Sequence, residues 1–218
     1  KILTKDNVEQ TIECDGLLMS VGWAPASNLL VQSGATLSYS ETLKQIVPAT
    51  MSSGVFAAGQ LNGIHVLKDK IQDGRAAASE ALAFLGQPCD AINRPEKEER
   101  AHSHPYPIQT HKKGHEFVDF DEDIQIKDLD VAWREGFKSV ELMKRYTTIG
   151  MGPSQGKVSN MNGVRFLADK NEKTVGVVGT TTPRPFTHPV PIGALAGKRL
   201  RRYWRSPIHS CHEKSAAN

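Results

Sequence analysis

The chain has 218 residues, of which 39% are hydrophobic and 23% charged, and its formal net charge is +3. This composition is typical of a globular protein, and so small a charge argues against a dedicated nucleic-acid binder. No apolar run reaches the roughly 20 residues that a membrane helix needs, and the N-terminus lacks the layout of a signal peptide. The sequence has three cysteines, Cys14, Cys89 and Cys211, which are too far apart to suggest a disulfide framework or a zinc site. This cysteine usage fits a reducing compartment, so we expect a cytoplasmic protein. We expect neither a membrane nor a nucleic acid among its partners.

Residues 1–86 are predicted to be the C-terminal part of an α/β dinucleotide-binding domain. Apolar runs that end in glycine are typical of strands buried in a parallel sheet, and an Ala-rich segment closed by Gly86 is typical of a helix. The spacing predicts a hairpin at 2–14, buried strands at 15–22 and 53–59, and this helix at 66–85. Because the chain starts without Met, we expect it to be a piece of a longer subunit.

Residues 87–116 change in character and are predicted to be a linker. Four prolines interrupt a stretch that is dense in charge and histidine, and proline disfavours regular structure at its own position and the one before. Clustered histidines can bind metals, but these lie in a Pro-rich stretch without an ordered scaffold and with no cysteine between them. We therefore predict a solvated linker without a metal site. The histidines that this prediction covers are His102, His104, His111 and His115.

Residues 117–171 return to a helical pattern and are predicted to form a small module of three helices. Apolar residues recur every three or four positions, Gly136 divides the first helix from the second, and Ser139 can cap the second. The apolar stripe comprises Ile126, Leu129, Trp133, Phe137, Val140 and Met143. Residues 172–218 are predicted to be an extended segment, in which the basic cluster 198–205 is interpreted as a subunit contact.

A first candidate ligand site lies at the end of the strand predicted at 53–59. Flavoproteins with two dinucleotide-binding domains carry a similar late strand that ends in glycine followed by aspartate, where the sheet's carboxyl edge meets the cofactor. Here Gln60 follows Gly59, and an amide can still bond a hydroxyl group. Gly22, in the sequence GWAP, ends the preceding predicted strand in the same way. The G-x-G-x-x-G fingerprint is absent. Gly22, Gly59 and Gln60 are candidate contacts for a nucleotide cofactor, with neither NAD nor FAD selected, and a strand turn without ligand stays open.

The most specific motifs follow one another from residue 117 onwards. They read FVDFDED at 117–123, REGFKSV at 134–140, KRYTTIGMG at 144–152, QGK and SN within 155–160, and GTTTPRP at 179–185. In this order they resemble the alpha subunits of heterotetrameric sarcosine oxidases. The sequence from Pro207 to Glu213 resembles the entry to that family's folate-binding, aminomethyltransferase-like domain.

The same module is similar to the [2Fe-2S] domain of bacterioferritin-associated ferredoxin, which binds its cluster through four cysteines. Val118, Phe120, Ser154 and Ser159 stand at those positions here. Since such a cluster needs four thiolates, the resemblance implies a ferredoxin-like module that has lost its cluster and kept its packing.

The resemblance also implies cofactors and partners. The related complex holds FAD, FMN and NAD, passes a one-carbon unit to tetrahydrofolate, and binds FMN between its alpha and beta subunits, attached to a histidine of the latter. Cationic and hydroxyl side chains suit a flavin phosphate, although they can equally be caps and surface charges. The candidates for FMN contacts are Arg145, Thr147, Thr148, Gln155, Lys157, Thr181 and Arg184.

The implied function is oxidative N-demethylation of sarcosine or a similar secondary amine, with the oxidising site in the beta subunit. No nucleophile with a neighbouring base and no paired carboxylates are evident, so no catalytic residue is assigned in this chain. Two alternatives stay open: a subunit of a proline or opine dehydrogenase, and a non-catalytic scaffold that bridges flavin-bearing subunits.

Overall fold

A computed structural model describes residues 2–4, 6, 8–18, 23–97, 114–196 and 205–215. Its strands form three antiparallel pairs: β1 (Ile2–Leu3) with β2 (Glu9–Gln10), β3 (Thr36–Ser40) with β4 (Gln45–Thr50), and β5 (Phe117–Asp119) with β6 (Ile124–Gln125). The helices are α1 (Asn28–Gln32), α2 (Leu67–Phe84), α3 (Ile126–Arg134), α4 (Val140–Thr147), α5 (Asn160–Lys170), α6 (Val175–Val178), α7 (Ile192–Ala196) and α8 (His209–Lys214). None of these helices is long and apolar enough to cross a membrane.

The strand predicted at 53–59 is wrong. The backbone is extended at Ala58, but no strand among the described residues pairs with this segment, and a 3₁₀ helix begins at Gly59. The backbone groups find other partners, since the carbonyl of Ala57 accepts hydrogen bonds from Asn62 and Arg94. The strand predicted at 15–22 is also absent over residues 15–18, and residues 19–22 lie outside the described part.

The hairpin predicted near the N-terminus is confirmed by the pairing of β1 with β2. A second hairpin, β3 with β4, was not predicted. Its ladder contains Pro48 opposite Leu37, beside a register shift, and proline lacks the N–H that a regular ladder uses. This interruption conceals the alternating pattern of the two strands.

Helix α2 confirms the predicted Ala-rich helix. Val66 precedes its first turn in an extended conformation, and Gly86 lies just beyond its end with a φ of 69°. That left-handed conformation favours glycine and ends the helix. One face of α2 is buried at Asp73, Ala76 and Ser79, and this face packs on the 3₁₀ helix Gly59–Asn62.

The three helices predicted within 117–171 are confirmed as α3, α4 and α5. Gly136 separates the first two with a φ of 100°, and the hydroxyl of Ser139 accepts a hydrogen bond from the N–H of Leu142 at 3.3 Å. Their apolar faces meet β5 and β6 in one core of Val118, Ile124, Leu129, Ala132, Met143, Ile149, Phe166 and Leu167.

The segment predicted to be extended after residue 172 contains three short helices, α6, α7 and α8. Helix α6 packs on β3, and its Val178 also contacts the core of the helical module. It therefore connects the first 50 residues to that module. Between α6 and α7 the chain is irregular, as predicted for 180–185, and this stretch forms one side of the candidate site.

Candidate functional site

The turn that begins at Gly59 is held from two sides by buried polar side chains. The N–H of Gly59 donates to Oδ2 of Asp73 at 2.7 Å, and Nε2 of Gln45 donates to the carbonyl of Gln60 at 3.1 Å. Gly59 has a φ of 73°, which glycine adopts at little cost. Of the candidate nucleotide contacts, Gly59 and Gln60 thus lie in one fixed turn before α2, and Gly22 lies outside the described residues.

A network of charges stabilises this turn. The guanidinium of Arg94 donates to Asp73 at 2.7 Å, to Glu80 at 2.5 Å, and to the carbonyl of Ala57 at 2.8 Å. Asp73 is only 1% exposed, so its carboxylate depends on these partners. The hydrogen bond from Arg94 lowers the pKa of Glu80 below its usual value. Sequence patterns gave no signal for this pairing, because 21 residues separate Arg94 from Asp73.

The glycine-rich loop 150–156 is shaped by carboxylates and by one amide side chain. The N–H of Gly150 donates to the buried Asp119 at 2.8 Å, and the N–H of Ser154 donates to Asp121 at 2.7 Å. The hydrogen bonds from Ser154 also lower the pKa of Asp121. A Cβ on Gly150 or Gly156 would lie 2.5 Å from the side chain of Asn160. These glycines make room for Asn160, and two N–H groups of the loop are already bonded and are not free to bind an anion.

Four of the candidate FMN contacts use the polar atoms of their side chains in hydrogen bonds within the protein. The hydroxyl of Thr147 donates to the carbonyl of Met143 at 2.8 Å, and that of Thr148 donates to the carbonyl of Thr147 at 2.6 Å. Thr181 is buried and accepts from Nδ2 of Asn160 at 2.7 Å. The ammonium group of Lys157 donates to the carbonyls of Ser154 and Thr187. In this structure these four residues fix the end of α4, the loop that follows it and the segment 181–187.

The other three candidates, Arg145, Gln155 and Arg184, line one cavity of about 280 Å³. We call it the cationic cleft; its further residues are Glu141, Lys144, Gly150, Met151 and Pro185. Arg145 lies 3.4 Å from Glu141, and the amide nitrogen of Gln155 donates to the carbonyls of Met151 and Gly152 at 3.1 and 2.9 Å. The side chains of Lys144 and Arg184 make no hydrogen bond or ion pair with any residue that the structure describes. Lys144 is half-buried, and sequence reasoning missed it although it stands beside Arg145 in the same motif.

An apolar groove of about 650 Å³ continues from the cationic cleft, and the two share Met151, Gln155 and Pro185. Its lining is largely apolar and includes side chains that are more than 40% exposed: Phe186, Val190, Ile192 and Leu195. Together they form one elongated surface with an apolar body and a positively charged end.

The four positions that carry cysteines in cluster-binding relatives are differently used here. Val118 lies in the hydrophobic core, and Phe120 is 65% exposed and stacks on Phe117. Ser159 is 1% exposed, and its hydroxyl has no hydrogen-bond partner within the described part of the chain. In the same part of the chain, no three His, Cys, Asp or Glu side chains are grouped as metal ligands.

Residues 113–199 match the family described as the sarcosine oxidase A3 domain. The sarcosine oxidase alpha subunit of Rhizobium meliloti (strain 1021) is 35% identical over 216 residues, which are 95% of this chain and 22% of that protein. This chain is a relative of the sarcosine oxidase alpha subunits. The corresponding subunit of Corynebacterium sp. (strain U-96) is 32% identical over 87% of the chain and 20% of its own length. The resemblance of the motifs is confirmed, and the chain spans only about a fifth of these relatives.

Two further similarities concern other oxidoreductases. An opine oxidase subunit of Rhizobium meliloti (strain 1021) is 25% identical over 87% of the chain and 45% of its own length. The crystal structure of L-proline dehydrogenase from P. horikoshii superposes with a TM-score of 0.60, at 18% identity, over 80% of this chain and 37% of that one. The chain therefore has an α/β fold that occurs in a proline dehydrogenase.

Proposed function

We propose that this chain is part of the alpha subunit of a sarcosine-oxidase-like flavoenzyme. The complex would oxidise sarcosine or a similar secondary amine and pass the one-carbon unit to tetrahydrofolate, with FAD, FMN and NAD as cofactors. Its partners would be a beta subunit, which carries the amine-oxidising site, and the remaining subunits, in the cytoplasm. The relationship to sarcosine oxidase alpha subunits supports this assignment.

The observation that carries the proposal is the charge distribution of the elongated surface. Lys144 and Arg184 contribute positive charge to the cationic cleft without a partner among the described residues, and the adjoining groove is apolar. FMN has a complementary form, since it joins a planar aromatic ring system, whose faces can pack on apolar side chains, through a polar chain to a phosphate with about two negative charges at neutral pH. We infer that FMN, shared with the beta subunit, lies along this surface.

The predicted FMN contacts then divide into two groups. Arg145 and Arg184, with the added Lys144, would contact the phosphate, and Gln155 would line the site, because its amide nitrogen already donates to the carbonyls of Met151 and Gly152. Thr147, Thr148, Thr181 and Lys157 would position the loops that carry these contacts, because their polar atoms are bonded to the protein. When bound, FMN would supply electron transfer, and this chain would orient it. No residue of this chain is assigned a catalytic role.

The turn at Gly59 and Gln60 is proposed to contact NAD. It is rigid because Asp73 and Gln45 hold it, and the side chain of Gln60 is partly exposed. Gly22 remains in this proposal on the sequence motif alone.

The proposal can be tested in the assembled complex by measuring flavin content. Loss of one charge-assisted hydrogen bond costs about 1.5–3 kcal/mol, which raises a dissociation constant roughly ten- to a hundredfold. In complex assembled without FMN, Lys144→Ala and Arg184→Ala should each raise the FMN concentration that half-saturates incorporation by such a factor, while FAD content stays constant. Lys173→Ala removes an exposed charge between α5 and α6 and serves as the matched control. If both variants reincorporate FMN like the control, FMN does not bind here.

A second candidate is an opine or proline dehydrogenase subunit, which the similarities to the opine oxidase and to the proline dehydrogenase structure favour. The two candidates differ in substrate. Flavin reduction in the purified complex by sarcosine, but not by proline or an opine, supports the first, and the opposite selectivity supports the second. A complex that contains no flavin or nucleotide at all would favour a scaffold.

A further inference from the structure

Glu141, in the first turn of α4, contacts both sides of the cationic cleft. One carboxylate oxygen accepts a hydrogen bond from the N–H of Thr182 at 2.6 Å. The other lies 3.4 Å from the guanidinium of Arg145, whose second nitrogen also donates to the carbonyl of Glu141 at 3.2 Å. A single side chain thus joins helix α4 to the irregular segment 180–185.

This contact determines where Arg184 can lie. The segment 180–185 has no regular secondary structure, so hydrogen bonds to its neighbours must hold it in place. Two of these are from Asn160 to Thr181 and from Thr182 to Glu141. Only one residue separates Thr182 from Arg184. Since Lys144 is one turn after Glu141 on the same helix, the Thr182 contact brings the two unpaired cations to the same cleft.

We propose that Glu141 is a positioning residue that fixes Arg184 opposite Lys144 and also restrains Arg145. This inference rests on the proposed function, because it concerns the same anion site. The carboxylate has two opposing effects on a bound phosphate. Its hydrogen bond to Thr182 pre-organises the cations and favours binding, whereas its negative charge lines the cleft and disfavours binding.

The opposing effects predict opposite results for two substitutions. Glu141→Gln keeps an amide oxygen that can accept from Thr182 but removes the charge, so phosphate should bind roughly threefold more tightly, in line with the small energies of exposed ion pairs. Glu141→Ala removes the acceptor and frees the segment, so phosphate binding should weaken about tenfold through lost pre-organisation. A purely electrostatic role would make both variants bind more tightly.

The test uses complex assembled without FMN, with inorganic phosphate and FMN as ligands, together with hydrogen exchange of a peptide that contains 180–185. This peptide reports on few amides, because Pro183 and Pro185 have none. We expect the N–H of Thr182 to exchange faster in Glu141→Ala than in Glu141→Gln. We also expect phosphate to bind more weakly to Glu141→Ala and more tightly to Glu141→Gln than to the wild type. Glu172→Gln makes the same charge change at an exposed position outside the cleft and is the control.

Two outcomes overturn the inference: equal signs of the affinity changes in Glu141→Ala and Glu141→Gln, or unchanged exchange at Thr182 in Glu141→Ala. The proposed function fails in a distinguishable way. In that case Lys144→Ala and Arg184→Ala leave FMN and phosphate binding unchanged, irrespective of the exchange at Thr182, and the positioning role in anion binding is overturned with it.

Discussion

Replacing Arg94 by methionine should selectively open the turn that begins at Gly59. The substitution keeps much of the side chain's apolar length and removes its charge. Asp73, whose side chain is 2% exposed, then loses its ion pair at 2.7 Å and retains only the hydrogen bonds from Gly59 and Asn62. Breaking a buried ion pair from one side typically costs about 3–5 kcal/mol.

The lower end of that range is expected here. The side chain of Arg94 is 31% exposed, so water can partly replace it. The contact with Glu80 adds only about 0.5 kcal/mol, because the side chain of Glu80 is 43% exposed and surface pairs contribute little. A loss of about 3 kcal/mol in local opening free energy corresponds to roughly hundredfold faster hydrogen exchange at the affected amides.

The assay is hydrogen exchange in the assembled complex, read on a peptide that contains 57–63, since the N–H of Gly59 itself donates to Asp73. Arg134→Met is the matched control, because Arg134 forms a surface pair with Asp130 within α3. A double variant with Asp73→Asn should recover part of the loss, since no unpaired charge remains. The reasoning is refuted if Arg94→Met exchanges within threefold of the wild type, or if the control shows the same acceleration.

Three more expectations rest on the same contacts and on the exposed apolar surface. Arg94 lowers the pKa of Glu80, so the stability contributed by the Arg94–Glu80 pair is complete above the ordinary pKa of about 4.5 and is lost as the pH falls through the lowered value. The difference in hydrogen-exchange rate between wild type and Arg94→Met should therefore become smaller below pH 4.5. Ser159→Ala removes a buried hydroxyl that has no partner among the described residues, so it should stabilise the helical module by about 1 kcal/mol; a lower melting temperature of the complex would contradict this. The isolated chain should aggregate or bind a hydrophobic dye, and glutamine in place of Leu67, Ile71 and Leu82, three of the exposed apolar residues of α2, should reduce dye binding. A cooperative melt of a monomeric isolated chain would count against this expectation.

The helical module could be predicted from the sequence because its signals are local. The apolar stripe, the glycine at 136 and the serine cap at 139 each act within one or two turns of helix. The strand predicted at 53–59 was wrong for the opposite reason, because a strand depends on a partner that is distant in the sequence. Its apolar run is compatible with a buried strand, but a strand exists only where another strand pairs with it, and here Asn62 and Arg94 bind the carbonyl of Ala57.

The candidate site was predictable in part. The motifs brought Arg145, Gln155 and Arg184 to notice, and the structure places all three in one cleft. Neither Glu141 nor Lys144 stood out, because their roles depend on which face α4 turns towards a segment some 40 residues later in the chain. Thr182, for example, is 41 residues from its acceptor. Long-range pairings of this kind leave no periodic trace in a sequence.

The glycine-rich loop shows why its composition alone is a poor guide to an anion site. Glycines in a loop often leave backbone N–H groups free for phosphate, yet here Asp119 and Asp121 already accept from Gly150 and Ser154. The protein thus supplies its own carboxylates to this loop, and a phosphate placed there would meet their negative charge. An anionic ligand must therefore be bound by side chains of the cationic cleft and not by the backbone N–H groups of this loop. Lys144 and Arg184 are cations in that place without a described partner, so their removal tests the site more directly than any change in the loop.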